Sequence, residues 1–139
     1  MVNRGNIEFY QRYEGSEREG LSAMLYVADN GQPAKMGAEL ERLVKQARAF
    51  MEKIGRIEEW SGESVASLLI VMAAREDGSG VMPRFQSCVS WTEVEYLWKV
   101  YVGPKPGEYR IECYEVDNSG PKGFMDKVTR VVWQPEAGL

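Results

Sequence analysis

The chain has 139 residues, of which 44% are hydrophobic and 27% are charged, a composition typical of a globular protein. Its 17 basic and 21 acidic residues give a net charge of −4, and the basic residues form no cluster suited to long nucleic acid. The sequence contains no histidine, the commonest general base and zinc ligand, and no apolar run of transmembrane length.

The first third of the chain predicts a β-hairpin followed by a helix. Residues 7–13 alternate and predict a strand with one apolar face, formed by Ile7, Phe9 and Tyr13. Residues 21–28 predict a second strand, antiparallel to the first, whose apolar face comprises Leu21, Ala23, Leu25 and Val27. Beyond Pro33, apolar residues recur at spacings of three and four for five turns, which predicts an amphipathic helix ending near Gly55.

The Asn30-Gly31 dipeptide lies between the second strand and this helix. Asn-Gly is a strong hairpin signal, but a helical pattern follows it here. We therefore interpret it as a strand-to-helix turn, in which Asp29 or Asn30 satisfies free helix amides and Pro33 occupies the first turn. An anion or metal site at the helix N-terminus is the functional alternative.

The second half of the chain predicts one more helix and a set of strands. Residues 64–75 fit either a buried strand or a helix, and their alanines favour the helix. Residues 81–90 predict a short edge strand, because Pro83 excludes a central one. The last three predicted strands are 94–102, 108–116 and 124–133. The tail, 134–139, is expected to be flexible.

This order of elements predicts a single α+β domain over residues 1–139. It would contain an N-terminal β-hairpin, two helices packed on one sheet face, and a C-terminal antiparallel β-meander. The two cysteines do not form a disulfide framework, so we expect both to be reduced, as in a cytoplasmic protein.

Three patches of the chain resemble a set of small uncharacterised phage and bacterial proteins. In these proteins an Asp-Gly-x-Pro turn precedes G-x-x-L at a helix start, and the matching residues here are Asp29, Gly31, Pro33, Gly37, Glu39 and Leu40. Residues 64–75 are similar to their alanine-rich second helix, and residues 93–103 to an acidic-aromatic strand. Asn30 and Gln32 depart from the pattern. The resemblance implies a phage or mobile-element setting and no particular activity.

The C-terminal strands are rich in aromatic residues. Tyr96 and Trp98 share one face of their strand, while Leu97 and Tyr101 share the other. Because the helices cover one face of the sheet, the other face would present aromatic side chains. We predict a ligand- or partner-binding surface formed by Arg84, Tyr96, Trp98 and Arg110. Base stacking, an oligomer interface and partly buried cross-strand packing all fit this pattern.

Candidate catalytic groups are few. The pairs Glu93/Glu95 and Glu112/Glu115 could supply two carboxylates, although a solvated sheet face explains them more simply. Cys88 has no histidine to activate it.

The leading hypothesis from the sequence is a non-enzymatic binding protein of phage or mobile-element type. We expect a homo-oligomer in the cytoplasm of the bacterial host cell, without a cofactor, long nucleic acid or membrane as partner. The alternative is a counter-defence protein that sequesters a signalling nucleotide or blocks a host immune protein. A third hypothesis is an enzyme that uses carboxylates without histidine.

Overall fold

The computed structural model describes residues 3–77, 84–88, 94–117 and 128–133. The elements in chain order are β1 (Gly5–Arg12), β2 (Glu19–Val27), α1 (Pro33–Lys53), α2 (Gly62–Asp77), β3 (Gln86–Ser87), β4 (Tyr96–Val102), β5 (Tyr109–Val116) and β6 (Val128–Trp133), with a 3₁₀ turn (Ile57–Glu59) between the helices. The predicted α+β fold is confirmed, and so is a helix at 64–75. The predicted tail, and parts of the strands predicted at 81–90 and 124–133, lie outside the described residues.

The strands form one mixed sheet of six strands in the order β3-β2-β1-β4-β5-β6. The predicted hairpin is β1–β2, and the predicted meander is β4–β5–β6, all paired antiparallel. These two halves join through β1 and β4, which pair in parallel, with Ile7 opposite Trp98. The chain can make this parallel pairing because both helices lie between the two strands in sequence.

Both helices pack on the same face of the sheet, as predicted; we call it the first face. Alternate strand residues, among them Ile7, Phe9, Val100 and Ile111, point into the core on this side. The buried residues of α1 recur at helical spacing: Met36, Gly37, Leu40, Leu43, Val44, Ala47 and Met51. Gly62 starts α2 very close to the hydroxyl of Ser22, in a space that a Cβ would fill.

A β-bulge in β2 overturns one part of the predicted hairpin. Phe9 pairs with Ala23, but the next residue, Tyr10, pairs with Leu21, so Ser22 is the extra residue. Strand residues alternate between faces, so this insertion places Leu21 on the face opposite the helices, which we call the second face. Leu21 is 50% exposed there. The sequence had predicted Leu21 on the core side.

The ends of α1 match the prediction only in part. Pro33 occupies the first turn, and Gly55, with φ +72°, follows the C-cap as expected. The N-cap residue is Gln32, which makes no side-chain capping bond. The predicted cap by Asp29 or Asn30 is therefore wrong, because both residues lie too early in the chain to reach the first turn. None of the helices that the structure describes is long and apolar enough to cross a membrane.

Candidate functional site

The four residues predicted to form a binding surface do not lie together. Trp98 is fully buried in the core beneath the helices, and its indole N–H donates to the carbonyl oxygen of Gly31 at 2.8 Å. Tyr96 lies on the same first face and is partly buried against the core. A ligand could not stack on Trp98 without opening the core, so the aromatic face predicted from Tyr96 and Trp98 faces the helices instead of a partner.

Arg84 lies beside the start of α1, where acidic groups hold it. Its Nε is 2.8 Å from a carboxylate oxygen of Glu39, and its guanidinium lies 3.8 Å from Asp29 and 5.6 Å from the ring centroid of Phe85. Its side chain is 21% exposed. Arg84 therefore ties the segment at β3 to the strand-to-helix turn, away from the other predicted site residues.

Arg110 lies on the second face of the sheet, which the two helices do not cover. Paired residues share a face, and the register aligns Glu8, Lys99 and Glu112 in one row across β1, β4 and β5. The next row contains Tyr10, Tyr101 and Arg110. With Tyr114, these residues form what we call the second-face cluster: Glu8, Tyr10, Lys99, Tyr101, Arg110, Glu112 and Tyr114.

The ammonium group of Lys99 occupies the centre of the second-face cluster. It lies 5.1 Å from the ring centroid of Tyr114 and 5.7 Å from that of Tyr10. These distances are within the range of cation–π attraction. Glu8 and Glu112 flank Lys99 on the neighbouring strands.

Aromatic stacking continues toward the exposed end of the cluster. The rings of Tyr10 and Tyr101 stack with centroids 5.5 Å apart and an interplanar angle of 22°. The guanidinium of Arg110 lies 4.3 Å from the centroid of the Tyr101 ring, and its side chain is 49% exposed. Arg110 also approaches the Glu112 carboxylate at 3.8 Å. The cluster thus carries two cations and two carboxylates.

Two of the three tyrosine hydroxyls of the cluster donate to carboxylates. Tyr10 donates to Glu8 at 2.8 Å, and Tyr114 donates to Glu112 at 3.3 Å. Burial raises the pKa of Tyr10 well above its ordinary value, and the bond to Glu8 raises it further. Burial likewise raises the pKa of Tyr101 and of Tyr114. These phenols are therefore held in the neutral form, as hydrogen-bond donors, and are not poised to act as bases.

Of the described carboxylates proposed for catalysis, Glu112 lies on the second face, whereas Glu115 pairs with Tyr96 on the first face. Glu95 forms a salt bridge with Arg4 at 3.0 Å, and Glu112 belongs to the second-face cluster. Glu93 lies outside the described residues. Across residues 3–77, 84–88, 94–117 and 128–133, no group of three or more potential metal ligands comes together.

The described cysteines are both free. Cys113 is buried in the core, and burial raises its pKa. Cys88 lies at one end of an open groove of about 400 Å³ between α2 and the β2–β3 edge, where Ser22, Ser67 and Ser87 also line the wall. Burial raises the pKa of Cys88 as well, so the thiol is the favoured form at neutral pH.

Three members of the second-face cluster, Tyr10, Lys99 and Glu8, were not predicted from the sequence. Glu8 and Tyr10 are brought to Lys99 and Tyr101 by the parallel pairing of β1 with β4, which joins segments about ninety residues apart. The available signal was the alternation in β1: with Ile7 and Phe9 in the core, Glu8 and Tyr10 must occupy the opposite face.

In comparisons with known proteins, no family model, no curated protein and no solved structure matches this chain.

Proposed function

We propose that this protein is a non-enzymatic binding protein and that the second face of its sheet is the binding surface. The observation that carries the proposal is the second-face cluster, in which Lys99 and Arg110 are held against three tyrosine rings on the side away from the helices. Tyrosine and arginine are enriched at protein interfaces, where they supply contact area and hydrogen bonds at low entropic cost.

The chemistry of the cluster supports binding over turnover. The carboxylate of Glu8 accepts from Tyr10, and that of Glu112 accepts from Tyr114, so both have a donor in place. The phenols have raised pKa values and stay neutral. A general base needs a pKa near the working pH and a free path to the proton that it removes. The phenols of the cluster do not meet the first condition, because their pKa values are raised.

A signalling nucleotide is a second candidate for the ligand. Arg110 favours it, because a half-exposed guanidinium that lies over a tyrosine ring can contact a phosphate. This candidate corresponds to a counter-defence protein that sequesters such a nucleotide. The proposed phage or mobile-element setting rests on the sequence resemblance alone. The proposal that the protein blocks a host immune protein rests on the same resemblance.

Native mass spectrometry of the purified protein, before and after denaturation, tests the proposal. We expect a native mass above the 15.8 kDa of one chain, with the excess released on denaturation. Arg110→Gln should remove the excess mass. Arg42→Gln is the matched control, because Arg42 is about equally exposed but pairs with Glu76 on the helices. Loss of the excess mass in the Arg42 variant and not in the Arg110 variant would contradict the proposed surface.

A further inference from the structure

We infer that Asn30-Gly31 is a spontaneous modification site whose reaction the fold controls: the native turn suppresses deamidation of Asn30, and opening of the turn permits it. The inference is independent of the proposed binding surface. It makes the dipeptide a permanent chemical mark on those copies of the chain in which the turn from β2 to α1 has opened.

The reaction needs only the two residues and water. The backbone nitrogen of Gly31 loses its proton and attacks the side-chain carbonyl carbon of Asn30; a C–N bond forms, and the side-chain nitrogen leaves with a proton as ammonia. Water then adds to one of the two carbonyls of the resulting succinimide and opens the ring to aspartate or isoaspartate. Glycine has no side chain to hinder the attack. Asn30 is exposed, so water reaches its side chain.

The nitrogen that must attack is held in a hydrogen bond. The amide N–H of Gly31 donates to the carbonyl oxygen of Asn3 at 2.7 Å, and Gly31 is buried. A hydrogen bond donated by the protonated form and removal from water both disfavour loss of the proton. The folded turn therefore keeps the nitrogen unreactive, although the side chain that it would attack is exposed.

The other end of the same peptide group is also bonded. The carbonyl oxygen of Asn30 lies 3.4 Å from Nη2 of Arg84, and the next carbonyl, that of Gly31, accepts from the indole of Trp98 at 2.8 Å. In the succinimide the nitrogen carries no proton, so the bond to Asn3 is necessarily lost. Residues from three distant segments thus hold the turn, and ring closure requires its local opening.

The isoaspartyl product cannot restore the native turn. Its main chain runs through the former side chain of residue 30, which adds one methylene before the peptide group of Gly31. There is no room for the longer chain, because even a Cβ on Gly31 would approach backbone atoms of Asn3 and Gly5 at 3.0 Å. If Gly31 shifts, its carbonyl also loses the bond from Trp98. We therefore expect the modified protein to be less stable.

Deamidation rates of the folded and the unfolded chain test the inference. The protein is incubated at mildly alkaline pH with and without denaturing urea, and peptide mass spectrometry follows the fragment that contains Asn30. The folded protein should react at least about tenfold more slowly, because only its opened fraction reacts. Trp98→Phe should accelerate the reaction of the folded protein severalfold. Trp60→Phe is the matched control, since it removes an indole bond to Glu108 instead, and should accelerate it less.

A second pair of measurements covers folding and the product. Circular dichroism shows whether each variant folds, and Arg84→Gln, which frees the carbonyl of Asn30, replaces Trp98→Phe if that variant does not. The isolated isoaspartyl form should melt below the wild type. Asn30→Asp should melt close to it, because this change adds the charge without lengthening the main chain, and aspartate tolerates a positive φ.

Four results would overturn the inference. Equal rates in the folded and unfolded chains would show that the turn does not protect Asn30. An unfolded chain that keeps Asn30 intact would remove the site. Equal acceleration by Trp98→Phe and Trp60→Phe would show that global unfolding controls the reaction. An isoaspartyl form that melts with the wild type would contradict the loss of the turn.

Discussion

The indole N–H of Trp98 donates to the carbonyl oxygen of Gly31, so the centre of the sheet is bonded directly to the turn that begins α1. Asn30 has a positive φ of 55°, and the amide of Gly31 donates to the carbonyl of Asn3. A Cβ at Gly31 would approach Asn3 and Gly5 at 3.0 Å. The Asn-Gly pair therefore makes a turn from strand to helix whose glycine lies against the start of β1, and the glycine carbonyl accepts the Trp98 bond.

Replacing Trp98 tests this bond. Trp98→Phe leaves the buried carbonyl of Gly31 unpaired and a small cavity beside it, and should lower the free energy of unfolding by about 2–4 kcal/mol. Trp60→Phe is the matched comparison, because Trp60 donates to the carbonyl of Glu108, which keeps a second bond from the amide of Gly103. Urea unfolding should give a smaller loss for the Trp60 variant. Equal losses in the two variants would show that the Trp98–Gly31 bond has no special role.

Gly37→Ala should destabilise the protein although alanine is the better helix former. In an ordinary helix interior this change stabilises by about 0.5–1 kcal/mol. Here the added Cβ would lie 2.5 Å from Nε1 of Trp133, whose ring packs 5.4 Å from that of Trp98. Overpacking of this kind costs about 1–3 kcal/mol. A double-mutant cycle with Trp133→Leu, followed by thermal unfolding, should recover most of the loss. A Gly37→Ala variant with a raised melting temperature would show that α1 and Trp133 are not in contact.

Arg84 is expected to affect stability and not binding. Arg84→Gln removes the ion pairs to Glu39 and Asp29 at the start of α1 and should cost on the order of 1 kcal/mol. Urea unfolding measures this cost, and native mass spectrometry compares the bound mass of the variant with that of the wild type. A variant that keeps its stability but loses the bound mass would show that Arg84 contributes to binding.

The tyrosines of the second-face cluster should ionise at a higher pH than solvent-exposed tyrosines. Burial raises the pKa of Tyr10, Tyr101 and Tyr114 in the folded protein above the unfolded value of about 10. For an acid whose folded pKa is raised, the stabilising contribution is complete below the unfolded pKa and is lost as pH rises through the folded pKa. Absorbance of tyrosinate should therefore rise in two stages, the second together with alkaline unfolding. Tyr10→Phe should reduce the second stage.

The control for this titration is the urea-unfolded chain, in which all seven tyrosines should ionise in one stage. If the folded protein also showed a single stage near the ordinary tyrosine pKa, the tyrosines of the cluster would have to be exposed to solvent.

Local patterns predicted the elements of this fold better than their arrangement. The three- and four-residue spacing of α1 and the alternation of β4 and β5 depend on neighbours in sequence, and both were found as predicted. The pairing of β1 with β4 joins distant segments, and no local pattern encodes it. The bulge at Ser22 was not predicted either. The apolar alternation through Leu21 in the sequence does not show whether the strand contains an inserted residue.

The proposed binding surface was only partly predictable, because its composition also depends on how distant strands pair. Alternation placed Tyr96 and Trp98 on one face and Tyr101 on the other, but it could not tell which face the helices cover. Of the predicted residues, only Arg110 lies on the second face. Tyr10 and Lys99 can be assigned to the same cluster as Arg110 only from the parallel pairing of β1 with β4.

The most direct test of the central claim is to locate the binding surface by NMR. Amide spectra of the labelled protein, recorded with the bound partner in place and after its removal, report which residues change environment. We predict shifts at Tyr10, Lys99, Tyr101 and Arg110, with no change around Val71, which is exposed on α2. Shifts confined to the helices would contradict the second face as the binding surface. Identical spectra with and without the partner would contradict binding at any surface that the structure describes.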